Sequence, residues 1–159
     1  MKNTMTTLFG VLVLTAAVAT ASAQSDGSGR LAGTWDVVVT PRVCLTNDPI
    51  TMFRAAYIFE PGGNFSGVSS GTGSGGRGRE QQGVWKHVEG DHYRFRIKTY
   101  LFDAAGVATS YQIVTHNGEL SDGVLKWSSK GISETFSLDG TQINAGCSTI
   151  EASRVVLDQ

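Results

Sequence analysis

Two Asp-Gly pairs, Asp122-Gly123 and Asp139-Gly140, each stand between runs rich in β-branched and aromatic residues. Such pairs favour a two-residue hairpin, because a type I′ turn needs positive φ at both central positions. The same punctuation recurs from Gly33 onward. Strand-like runs fall at 33–40, 50–59, 64–70, 82–88, 92–102, 107–120, 124–138 and 141–156, separated by short turns such as PGGN, EGD and DAAG. No run carries a sustained apolar stripe of 3.6-residue period with caps, so little or no helix is predicted. The pattern predicts an all-β fold: an eight-stranded antiparallel up-and-down barrel, which closes its own sheet edges. Eight strands enclose a space that side chains just fill, or that holds one small ligand.

The two cysteines, Cys44 and Cys147, test that closure. If the first and last strands pair antiparallel, the numbers of paired residues sum to a constant. Cys44 with Cys147 gives 191 and Trp35 with Arg154 gives 189, values that one register with a small bulge accommodates. A disulfide between the first and last strand regions is therefore predicted. No C-x-x-C is present, so a redox-active pair is not indicated.

The Glu89-Gly90-Asp91 turn sets Trp85 opposite Phe95 and His87 opposite Tyr93. Trp85, His87, Tyr93, Phe95 and Ile97 then share one face, and Lys86, Arg94, Arg96 and Lys98 share the other. The aromatic face is expected inside and the basic one in solvent.

Upstream of the strands, Lys2, the apolar run Leu8 to Val18 and Ala21-Ser22-Ala23 have the three parts of a secretory signal peptide, placed at 1–23 and cut before Gln24. A Gly/Ser-rich leader at 24–32 precedes a single barrel domain at 33–157. The apolar run is short of the ~20 residues that span a bilayer. These features predict an exported protein, periplasmic or secreted, with no membrane insertion after cleavage. An even pair of cysteines suits the same oxidising compartment. Of the 13 basic residues, Lys2 leaves with the signal, so 12 stand against 14 acidic ones, a net charge of −2. That balance argues against nucleic acid as a partner.

The opening of the first strand, Gly33-Thr34-Trp35 within LAGTWDV, resembles the G-x-W of the lipocalin and wider calycin group. In that group the Trp closes one end of the barrel and packs against an Arg from the last strand. Arg154 in EASRVV occupies the matching position. The segment Gly33 to Val156 looks like a bacterial lipocalin-like exported protein, although no T-D-Y motif lies between its middle strands. The resemblance implies binding of a small, largely apolar molecule inside the barrel. Phe53, Tyr57, Trp85, Tyr93, Phe95, Tyr111 and Trp127 are the candidate lining residues, with Trp35 and Arg154 as the barrel-closing pair.

Other chemistry is less supported. Gly71, Gly73 and Gly76 match G-x-G-x-x-G as letters, but the chain runs on into another strand and supplies no helix for a pyrophosphate. They are read as a flexible flap between strands three and four, with Arg77 and Arg79 as its only chemistry. Many carboxylates lie at turns or strand ends; Asp36 and Glu134 are candidates for within-strand positions but have no catalytic partner. The serines form no nucleophile elbow. His87, His92 and His116 are expected near one end of the barrel, where three imidazoles would suit zinc or one would suit haem. His87 and His92 should point to opposite faces, however, so no metal and no cofactor are predicted.

The reading that follows is a non-enzymatic, exported barrel binding a small hydrophobic or amphipathic molecule. A second reading is a protein-interaction module. LAGTW with Cys44 nine residues after Trp35 is similar to small periplasmic barrels that inhibit metalloproteases, and Gln24 to Arg30 would be the inhibitory arm. In that group the second cysteine is mid-chain rather than at the far end. A third reading is a cyclase or isomerase acting inside the barrel, for which no residues are nominated.

Overall fold

Eight strands run in sequence order around one closed antiparallel sheet: β1 (Gly33–Arg42), β2 (Phe53–Phe59), β3 (Asn64–Ser69), β4 (Arg79–Glu89), β5 (His92–Phe102), β6 (Ala108–Ser121), β7 (Lys126–Ser137) and β8 (Gln142–Arg154). The computed structural model describes residues 29–70 and 79–157. The segment 1–23 expected to be a signal peptide, most of the expected leader and the glycine-rich segment 71–78 lie outside the described residues. The only helical element among those described is a three-residue 3-10 turn, Asp122–Val124.

Turn chemistry sets the pairing. At Asp122-Gly123 both residues take positive φ, 51° and 60°, as does Val124 at 74°. Ser121 pairs with Lys126, so the connection is a four-residue 3-10 turn rather than the expected two-residue one. At Asp139-Gly140 only the glycine takes positive φ, at 93°. There the Asp139 carboxylate accepts from Ser137 Oγ and from Thr141 N at 2.9 Å, and a side chain holds what the type I′ backbone was expected to hold. The turn at 89–91 places Trp85 opposite Phe95 and His87 opposite Tyr93, with a bulge between His87 and Glu89. Tyr93, Phe95 and Ile97 are buried, while Lys86, Arg94, Arg96 and Lys98 are exposed.

Closure is made by β1 and β8, paired from Trp35 with Arg154 to Arg42 with Cys147 in a single unshifted register. The predicted bulge is absent. Cys44 lies two residues beyond Arg42, past the end of β1, and bonds back to Cys147 in β8 with the Cα atoms 5.1 Å apart. The offset between the two sums reflects a chain that has already left the ladder. The disulfide closes a separation of 103 residues, and in the chain-entropy view it constrains the unfolded state by about 4–5 kcal/mol. It fits an oxidising compartment.

Candidate functional site

Strand alternation sends every second side chain inward, and the inward set changes character along the barrel. At the end where β1 begins, Leu31, Trp35, Phe59, Tyr93, Leu120 and Trp127 are buried. Phe59 is the hub, packed edge-on against Phe65, Trp85, Phe95 and Trp127 with ring centroids 5.2 to 5.9 Å apart. Each such ring contributes about 1.5–3 kcal/mol by burial and each favourable pair about 0.5–1.5 kcal/mol more.

The polar atoms of Trp35, Trp85 and Arg154 at this end are satisfied by backbone, and Trp127 Nε1 has no partner among the described residues. Trp35 Nε1 donates to Leu31 O at 3.0 Å and Trp85 Nε1 to Glu60 O at 2.9 Å. The Arg154 guanidinium lies 4.3 Å over the Trp35 ring. It donates to the carbonyls of Arg30, of Ala32 at 2.7 Å and of Val124 at 2.8 Å. One cation thus ties three segments across the barrel floor. Gly33 has φ of 133°, and a Cβ there would stand 2.5 Å from Arg154 Nη1. The glycine of G-x-W is therefore the space the arginine occupies.

Midway up, His116 is fully buried. Its Nδ1 lies 2.8 Å from Ser129 Oγ and its Nε2 2.9 Å from Ser148 Oγ, with the ring stacked on Phe95. A neutral imidazole has one donor and one acceptor nitrogen, and rotatable hydroxyls can serve both. Burial lowers the pKa to about 4, because a charged ring here would lose its hydration without a counter-charge. Gly131 makes room for it: a Cβ there would sit 2.2 Å from His116 Cδ2. A Ser-His contact sealed from solvent has no substrate access, so the cluster acts as a polar staple in the core.

Toward the other end the lining turns polar. Ser69, Gln81, Thr99 and Ser110 are buried, and the inward-facing Phe53, Gln112, Val114, Ser133 and Thr135 are half-buried. Thr99 Oγ1 donates to Glu80 O at 2.9 Å. Burial holds the Tyr57 phenol well above its usual pKa, with a hydrogen bond to the Gln81 side chain acting in the opposite sense. Gln81 Oε1 is buried without a partner among the described residues. Among those residues the charged or basic side chains of the inward register are Arg79 at the open rim, Arg154 and His87 near the floor, and the neutral His116, with Tyr57 and Tyr93 as un-ionised phenols.

Of the seven sequence-nominated lining residues, Tyr57, Trp85, Tyr93, Phe95 and Trp127 are buried inside, and Phe53 is inward and half-buried. Tyr111 is not inside. It pairs with Tyr100 and Phe136 on the outer face, stacked on the Phe136 ring at 5.2 Å with Lys98 Nζ 4.5 Å above it. The histidines do not gather either. His116 is in the core, His87 is half-buried with Nε2 2.8 Å from Gly90 O, and His92 is exposed on the outer face. Among the described residues no group of three or more His, Cys, Asp or Glu is placed to hold a metal ion. Asp36 instead forms an exposed ion pair with Arg54 at 3.0 Å.

Gln81, Ser129 and Ser148 escaped the sequence reading. The available signal was a polar residue on the inward beat of an alternating strand, which is weak in a serine-rich chain.

The geometry defines a closed eight-stranded antiparallel barrel, sealed at one end and polar-lined toward the other. No protein-family model matches the chain, and no curated protein sequence does. Among solved structures it is similar to a redesigned β-barrel, with a TM-score of 0.55 and 18% identity, covering 85% of this chain and 100% of that one. The likeness is one of fold.

Proposed function

We propose that this chain is an exported, lipocalin-like barrel that binds a small hydrophobic or amphipathic molecule without chemical turnover. The observation carrying the reading is the asymmetry of the interior. One end is filled by rings and sealed by Trp35 with Arg154, whereas inward residues of the other half, Phe53, Gln112, Val114 and Ser133, retain exposure. A barrel needing only a packed core would gain by filling both halves alike, since burial of apolar surface is the main favourable term in folding. Apolar walls with a few convergent polar groups are the usual make-up of a small-molecule site. The Trp35–Arg154 contact supports the lipocalin-like likeness, and the disulfide supports export.

The test is titration with the neutral fluorophore N-phenyl-1-naphthylamine. Saturable one-to-one binding, weakened at least tenfold by Val114→Trp in the open half, supports the reading. Absence of saturable binding by this probe and by a panel of alkyl alcohols sinks it.

A further inference from the structure

Two buried side-chain atoms have no hydrogen-bond partner among the described residues, Trp127 Nε1 and Gln81 Oε1. They differ in setting. Trp127 is packed against the rings of Trp35, Phe59 and Phe95 at the sealed end, with its Nε1 against Gly118, where a Cβ would stand 2.3 Å from it. Gln81 lies in the polar half, on the inward register of β4, opposite Gly67 and close enough to Tyr57 for the two side chains to bond. Gln81 is only 8% exposed.

An amide offers a carbonyl acceptor and an NH2 donor, and a single phenol oxygen can engage only one of the two. Whichever way the amide is turned, Tyr57 satisfies one side and leaves the other unpaired. Leaving a buried polar group unpaired costs folding free energy. A glutamine held so, in the half whose inward Phe53, Gln112 and Val114 are only half-buried, gains its missing partner when a ligand supplies one.

We propose that Gln81, oriented by Tyr57, is the polar anchor of the interior site, and that the ligand is neutral at its deep end, carrying a hydroxyl or amide on an apolar body. The inference rests on the binding function proposed above. Neutrality follows from the lining. Gln81, Thr99, Ser69, Ser110 and Tyr57 can hydrogen-bond a polar group, but none carries a charge to balance an ionised one. Arg79 stands on the inward register only at the rim, where it pairs with Ser69 in the ladder. An ionised group taken to the level of Gln81 would be desolvated without a counter-ion. A carboxylate is therefore excluded from the deep end and tolerated only at the mouth.

Three probes of one chain length separate the outcomes: 1-dodecanol, its methyl ether and dodecanoate, each competing against N-phenyl-1-naphthylamine. The wild-type protein is expected to bind the alcohol at least tenfold more tightly than the ether. Gln81→Leu should abolish that preference while still binding the ether. Tyr57→Phe should reduce the preference, because the amide loses its orientation. Dodecanoate should bind more weakly than the alcohol in the wild type, with Arg79→Gln weakening dodecanoate alone. Equal affinity for alcohol and ether in the wild type, or a preference that survives Gln81→Leu, overturns the anchor while leaving the binding function intact. If none of the four molecules binds, the underlying function fails instead. The thermal transition of each variant, measured without ligand, separates lost binding from lost fold.

Discussion

The two halves of the barrel interior are built from the same strands and do different work. At the floor, aromatic rings interlock, each indole donor but that of Trp127 meets a carbonyl, and Arg154 joins Arg30, Ala32 and Val124. In the open half, hydroxyls and an amide replace rings, and several inward residues keep exposure. One half stores stability and the other gives it up for polar lining. Such a division suits the proposed binding function, which needs polar groups held in place by a rigid scaffold.

Changes at the floor should therefore cost stability without altering selectivity, and changes in the open half should do the reverse. The largest effect is expected from Phe59→Ala, which removes the hub of the ring cluster. A loss of about 3–5 kcal/mol should appear in chemical unfolding. A loss below about 1 kcal/mol would mean that the floor is not the stabilising half.

Next comes the bridge at the opposite rim. Replacing Cys44 and Cys147 with Ser should cost about 2–5 kcal/mol, with the folded-state spectrum kept. Because this term acts through the unfolded chain, selectivity among the alkyl probes should not change with it.

The histidine between the halves gives a pH signature. The folded pKa of about 4 lies below the unfolded value of 6.5, so between these pH values the unfolded chain holds a proton that the fold excludes. Stability from this source is complete above pH 6.5 and falls as pH drops toward 4, by about 3 kcal/mol in all. Melting temperatures across that range should decline more steeply for wild type than for His116→Gln. Parallel declines would remove His116 as the cause.

The smallest effect sharpens the inside–outside assignment. Tyr111→Ala loses two ring contacts, with Phe136 and Tyr100, and one cation–π contact on the outer face, about 1–2 kcal/mol together, and should leave probe binding untouched. Altered binding would place Tyr111 back among the lining residues.

Where the sequence was read correctly, the signal was local. The β4–β5 pairing followed from one turn and an unbroken alternation, and the segment 92–102 coincides with β5. Arg154 fell beside Trp35 because an antiparallel pairing fixes a constant sum. Tyr111 was misplaced because β6 carries apolar residues on both beats, Tyr111 and Ile113 on one and Val114 on the other, so period alone does not choose a face. The outer beat of β6 is covered by Tyr100 and Phe136 from neighbouring strands. Cys44 was counted into the β1–β8 register through its pairing sum, although Pro41 precedes it and the chain had already left the ladder.

What the sequence determined by itself was the number and order of strands, the antiparallel pairing, the closing contact and the disulfide. All of these follow from period-2 patterning, turn residues and a count along the chain. Only the tertiary structure decided which inward residues stand together: His116 between Ser129 and Ser148, and Gln81 with Tyr57. The stagger of eight tilted strands fixes those neighbours. It is a property of the closed sheet as a whole, and no single segment encodes it.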